Sequence, residues 1–288
     1  MVLPLLTGCL GFHRGAMPGE PSDATWAEVE GARVRYVDVG SGPVVVMLHG
    51  FASSLETWTA VLPQLAKTHR VIALDLKGFG WTDRPEGDYS PDAQATMVWA
   101  LLDQRGVKKA SIVAHSWGSS VAVAMTLQQP DRVEKLALYD AYVYEEQLPT
   151  FFLWSRAHGV GETLFGLYYD QRPDERLALA FYDQRFVTQQ LVDDVERALD
   201  RPGTRAAALA AVRGMRFAEQ QLRYRTLRKP TLLLWGREDR VTAPDVGERL
   251  ARDLDAKLVV YPRCGHFPMI EAAEQSNAEL ARFLGGQP

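Results

Sequence analysis

The stretch SIVAHSWGSS, residues 111–120, begins as a continuous apolar run and ends in small residues, with Ser116 at the bend between them. A short apolar run suits a strand buried on both faces, as parallel sheets require, and the small residues that follow suit a helix packed close behind it. A serine hydroxyl becomes a nucleophile only when a base takes its proton, and its backbone must hold it clear of its neighbours. A sharp strand-to-helix turn does this when small residues stand two positions before and after the serine. Here those positions hold Ala114 and Gly118, so the G-x-S-x-G pattern is met with alanine in first place.

Working outward, TWAEVEG and ARVRYVDVG (25–31 and 32–40) alternate apolar with polar residues, as half-buried antiparallel strands do, with Gly31 at the turn. The runs VVVMLHG (44–50), VIALDL (71–76) and KLALYDA (135–141) repeat the character of 111–116. Between them, residues 55–67, 91–106 and 120–130 carry helical spacing, and the last stops at Pro130. Strands alternating with helices predict a right-handed βαβ succession and a mostly parallel sheet. The alternation lapses over 142–226, which reads as aromatic-rich helices, and resumes at PTLLLWGRED (230–239) and AKLVVYPRCGH (256–266), with a closing helix after it. The expected organisation is a core of 23–141 and 227–288, interrupted by a helical cap over 142–226.

Composition narrows the function. A chain of 288 residues that is 47% hydrophobic has ample material for one large core, and a formal net charge of -4 offers no general attraction to nucleic acid. The basic run from Arg213 to Lys229 has the interleaving of a solvated helix face. Two cysteines, Cys9 and Cys264, make neither a disulfide framework nor a metal site, so no metal and no cofactor is expected. The opening MVLPLLTGC is apolar and ends in a motif similar to bacterial lipoprotein cleavage sites. If the true start lies upstream, Cys9 is a lipid attachment site and the protein a cell-envelope lipoprotein in contact with a membrane. If the given start is correct, the protein is cytoplasmic. In either case residues 1–22 are expected to be a tail outside the fold.

The base that serves Ser116 should be one of six histidines. His13 lies in the terminal segment, His69 just before a strand and His158 in the insertion. His49, in LHGF, reads as a framework residue, and His115, one position before the serine on a strand, should point to the opposite face. His266, in RCGHFPMIE, directly follows the last predicted strand in a loop that can aim an imidazole across the strand ends. A carboxylate must then orient that imidazole. Asp239, in LLLWGREDRV, follows a strand and is preferred, with Asp140 a geometrically allowed substitute; Glu238 and Asp245 read as surface charge.

The resulting order Ser116, Asp239, His266, with MLHGFASSLETW, ALDLKGFGWTDRP, VAHSWGSS, LLLWGREDRV and RCGHFPMIE in sequence, resembles the α/β-hydrolase fold family of the cap-containing type. The resemblance covers about 25–284. It implies an oxyanion hole made by the backbone N–H groups of Phe51 and Trp117, and an acyl-enzyme formed on Ser116. GFGWTDRP and HSWG are also similar to haloalkane dehalogenases and epoxide hydrolases, but those carry aspartate where this chain has Ser116, which disfavours both chemistries. Lys77 stands where many relatives have proline. Val241 and Phe267 are candidates for the substrate pocket. The expected partner is a small apolar or aromatic ester-like molecule, and the expected activity is that of a carboxylesterase. Lactonase, carbon–carbon bond (meta-cleavage product) hydrolase and aminopeptidase are alternatives of the same fold, and a low-turnover ligand-binding receptor is an alternative of another class.

Overall fold

The computed structural model describes residues 10–285. Eight strands form one sheet in the order β1-β2-β4-β3-β5-β6-β7-β8: β1 (Thr25–Val29), β2 (Ala32–Val39), β3 (Val44–Leu48), β4 (Arg70–Leu74), β5 (Ala110–His115), β6 (Val133–Tyr139), β7 (Thr231–Gly236) and β8 (Lys257–Tyr261). β1 and β2 pair antiparallel, β2 joins β4 antiparallel, and the pairs from β4 through β8 are parallel. β5 and β7 are buried along their whole length, as their apolar runs require. The alternating β1 and β2 lie at the edge, with one face open.

The helices are α1 (Leu62–Leu65), α2 (Pro91–Gln104), α3 (Gly118–Gln128), α4 (Thr150–Ser155), α5 (Val160–Tyr168), α6 (Pro173–Ala180), α7 (Gln189–Leu199), α8 (Thr204–Gly214), α9 (Pro244–Leu254), α10 (Pro268–Glu271) and α11 (Ala273–Leu284). The helix expected over 55–67 is broken into a 3-10 turn at Leu55–Trp58 and the single turn α1. Pro63 explains the break, since it brings no N–H to a helix that would have to run through it. Helices α4 to α8 fill the interval between β6 and β7, and no strand occurs within 142–226. None of the helices is long and apolar enough to cross a membrane.

Residues 10–22 depart from the expectation of a loose tail. His13 and Arg84 exchange backbone hydrogen bonds of 2.9 and 2.8 Å, the Gly15 N–H donates to Asp83, and Met17 is buried with Arg84 Nη1 3.0 Å from its sulfur. The segment adds a short extended pairing to the 82–84 loop, a partner about 70 positions away that its glycine- and proline-rich composition does not reveal. Cys9 lies outside the described residues. The basic run is not one helix face: α8 ends at Gly214 and a 3-10 turn spans Gln220–Thr226, while Arg213 pairs with Glu162 at 2.9 Å and Arg225 with Asp253 at 2.9 Å.

Candidate active site

β5 ends at His115, and Ser116 takes φ +51°, a left-handed conformation unusual for a residue with a side chain. The turn is held from both sides: the Ser116 N–H donates to Tyr139 O at 2.9 Å, and Ser116 O accepts from Ser119 and Tyr142 N–H at 2.9 and 3.0 Å. Gly118 opens α3 under the end of β3. A Cβ there would sit 2.4 Å from His49 O, so the approach of helix to strand needs a glycine. Gly50 faces the elbow itself, where an added Cβ would stand 3.0 Å from the Ser116 Cβ. The HGF turn and the serine are therefore in contact, and among the described residues no hydrogen bond occupies the backbone N–H of Phe51 or Trp117. The two N–H groups adjoin residues in contact at the elbow, Phe51 following Gly50 and Trp117 following Ser116.

Asp239 and His266 meet on neighbouring strand ends, after β7 and β8. His266 Nδ1 lies 2.7 Å from Asp239 Oδ2. The same carboxylate accepts from the Thr242 hydroxyl at 2.5 Å and from the Val241 and Thr242 N–H groups at 2.7 and 3.0 Å. Burial alone would push the Asp239 carboxyl up, but His266 and these donors outweigh it and hold the group below the usual carboxylate range. Asp239 is thus ionised, and an anionic Oδ2 keeps the proton of His266 on Nδ1, leaving Nε2 with a free lone pair. Among the described residues Ser116 Oγ has no hydrogen-bond partner, so the structure brings His266 to Asp239 but shows no direct bond from either to the serine.

His115 differs from its expected place. It is still paired within β5 and lies on the side of Val113 and Phe267, but that side is occupied by the His266 loop: its Nε2 donates to His266 O at 2.8 Å and its ring lies 4.7 Å from the His266 ring. Burial pushes its pKa well down, so it is a neutral prop beneath the base. Asp140 is buried on the neighbouring strand end with φ +42°, and its Oδ1 accepts the Gly236 N–H at 2.9 Å. One ligand atom from each of Asp140, Asp239 and His266 lies within 4.8 Å of the others. Burial, and then the charge of Asp239, push the Asp140 carboxyl well above the ordinary range. Glu238, read from sequence as surface charge, accepts the Cys264 N–H at 3.0 Å and so braces the histidine loop.

Phe267 stacks on Phe181 of the insertion at 4.8 Å and packs on His115 at 4.8 Å, whereas Val241 is 39% exposed on the loop that chelates Asp239. Phe51 touches Phe79 and Phe152 at 5.4 Å and Trp117 and Tyr169 at 6.3 Å, an aromatic cluster shared by the elbow and the insertion. His49 is a framework residue: its Nε2 accepts from the Leu76 N–H at 2.9 Å. Lys77 earns its departure from proline, because its N–H donates to Gln94 Oε1 at 3.0 Å while Gln94 returns a bond to Lys77 O at 2.9 Å.

A model of the alpha/beta hydrolase fold matches residues 43–273, and the chain belongs to that family. It is a hydrolase. It is 30% identical to 2-hydroxy-6-oxo-2,4-heptadienoate hydrolase of Pseudomonas putida over 81% of this chain and 86% of that one. It is 32% identical to 2-hydroxy-6-oxononadienedioate/2-hydroxy-6-oxononatrienedioate hydrolase of Paraburkholderia phymatum, over 88% and 91%. Its structure resembles the meta-cleavage product hydrolase of Pseudomonas fluorescens IP01 with a TM-score of 0.79 and 28% identity, over 91% of this chain and 97% of that one.

Proposed function

We propose that the protein hydrolyses a carbon–carbon bond in a 2-hydroxy-6-oxo-dienoate-type substrate, with Ser116 as nucleophile, His266 as base and Asp239 as its orienting carboxylate. The observation that carries this over carboxylester hydrolysis is the match, along more than four-fifths of both chains, to hydrolases of such compounds. In this reading Ser116 Oγ adds to the ketone carbon at C6 of the keto form while His266 Nε2 takes the hydroxyl proton. The Phe51 and Trp117 N–H groups hold the resulting oxyanion, and such a donor contributes on the order of 10²- to 10³-fold in rate. Collapse breaks the C5–C6 bond, its electron pair leaves into the conjugated 2-oxo acid, and His266 returns the proton to carbon. Water then attacks the acyl-serine with His266 again as base, releasing a carboxylic acid.

Loss of the absorbance of 2-hydroxy-6-oxo-hepta-2,4-dienoate on mixing with the protein tests the reading, with Ser116→Ala expected to abolish turnover. Steady consumption of p-nitrophenyl esters with the dienoate untouched would overturn it in favour of an esterase. That second reading is supported by the aromatic cluster around Phe51, whose five rings suit an apolar acyl group. The insertion, as a cap, would then select for acyl size. A folded protein that neither turns over any of these compounds nor labels with a fluorophosphonate would be a ligand-binding relative.

A further inference from the structure

Glu271 closes α10, five positions after His266, and is half-buried, with no ion pair among the described residues. Its partners are three backbone donors from two distant segments. Oε1 accepts the Gly265 N–H at 2.8 Å, in the histidine loop. Oε2 accepts the Tyr182 and Asp183 N–H groups at 2.9 Å each, in the chain that leaves α6 of the insertion. The two segments also touch directly: the His266 N–H donates to Ala180 O at 2.7 Å, and Phe181 stacks on Phe267. Gly265 makes the approach feasible, since a Cβ there would stand 2.4 Å from Ala180 O and 2.7 Å from Tyr182 N.

We propose that Glu271 is a positioning residue that couples the helical insertion to the general base, fixing the backbone of His266 against residues 180–183. A carboxylate is suited to this role because both of its oxygens accept, so it can bind N–H groups on two sides at once. Burial raises the Glu271 carboxyl pKa above its ordinary value, and the three N–H bonds offset only part of that rise. The consequence is that this end of the insertion does not swing as a free lid. It forms part of the scaffold of the catalytic histidine, and Phe181 is carried with it to the wall beside the imidazole. The inference rests on His266 acting as the base of Ser116.

Glu271→Gln is the informative change, because the amide retains one acceptor and turns the other oxygen into an NH2 that faces N–H donors. With p-nitrophenyl acetate and a fluorophosphonate as probes, we expect kcat and the labelling rate of Ser116 to fall between about 10- and 100-fold, since misplacing a reacting group by about 1 Å costs on the order of 10²-fold. KM should change less than about threefold, a split that mere loss of folded protein does not produce. In Gly265→Ala, where Glu271 is intact, the same split is expected. Wild type that does not label overturns the catalytic reading; wild type that labels, with Glu271→Gln labelling equally fast, overturns the positioning role alone. Should Glu271→Gln fail to fold, hydrogen exchange on the unaltered chain decides: the Tyr182 and Asp183 amides should exchange as slowly as Gly265, and fast exchange at 182 and 183 sinks the coupling.

Discussion

Asp239 and Asp140 set two buried carboxyl groups beside one imidazole, and two such groups cannot both ionise cheaply. Their surroundings assign the proton. Asp239 has a histidine, a hydroxyl and two N–H donors, whereas Asp140 has one N–H on Oδ1 and no partner on Oδ2. The negative charge belongs to Asp239, and Asp140 is its neutral neighbour. Steady-state kinetics should accordingly show Asp239→Asn lowering kcat by roughly 10⁴-fold, as loss of the orienting carboxylate does in triad enzymes. Asp140→Asn, which keeps an acceptor for Gly236, should cost less than about 10-fold. Equal damage from the two changes would reverse the assignment.

At the scale of elements, the elbow depends on how closely α3 approaches β3. Gly118 has no room for a side chain because its neighbour is a backbone carbonyl, and backbone cannot rotate out of the way as a side chain can. Gly118→Ala should therefore destabilise by about 1–3 kcal/mol, the cost of overpacking, and should also displace the Trp117 N–H. Urea denaturation measures the first effect and the fluorophosphonate labelling rate the second; unchanged stability would show that helix and strand can separate freely. The strand, turn and helix are legible in residues 111–120, since they are built by neighbours in sequence, whereas the approach to His49 is a tertiary contact. The break within 55–67 is not legible, because its apolar spacing is that of a continuous helix and Pro63 alone marks the interruption.

For the whole molecule, acid is the expected route to unfolding. Glu162, bonded to Arg213 across the insertion, has its pKa lowered to about 2, and Asp38, bonded to Arg70 and Arg105, is also lowered. A carboxyl whose folded pKa lies below its unfolded value adds stability above the unfolded pKa and loses it as pH falls. These two carboxylates should thus contribute a decline in thermal stability from about pH 4.5 toward pH 2, below a loss that begins under about pH 6.5 as the unfolded chain protonates His115, which is neutral in the fold. Glu162→Gln should remove part of that decline, and an unaltered acid profile would show that the Glu162–Arg213 pair does not couple protonation to folding. Its effect at neutral pH should be modest, because the pair is partly exposed and screened.

The sequence by itself determined the succession of strands and helices, the helical interval at 142–226 and the order Ser116, Asp239, His266, because each is written in periodicity or in a motif a few residues long. The elbow SIVAHSWGSS belongs to that class. Only the tertiary structure decided that His115 supports His266, that Asp239 and not Asp140 carries the charge, that residues 10–22 pair with the 82–84 loop, and that Glu271 clasps the insertion to the histidine loop. Each of these rests on contacts between segments remote in sequence, 89 positions apart for Tyr182 and Glu271. At least one partner in several of them is a loop backbone group, as at His266 O and the Tyr182 and Asp183 N–H, and every residue carries these alike, so they leave no pattern of side chains to read.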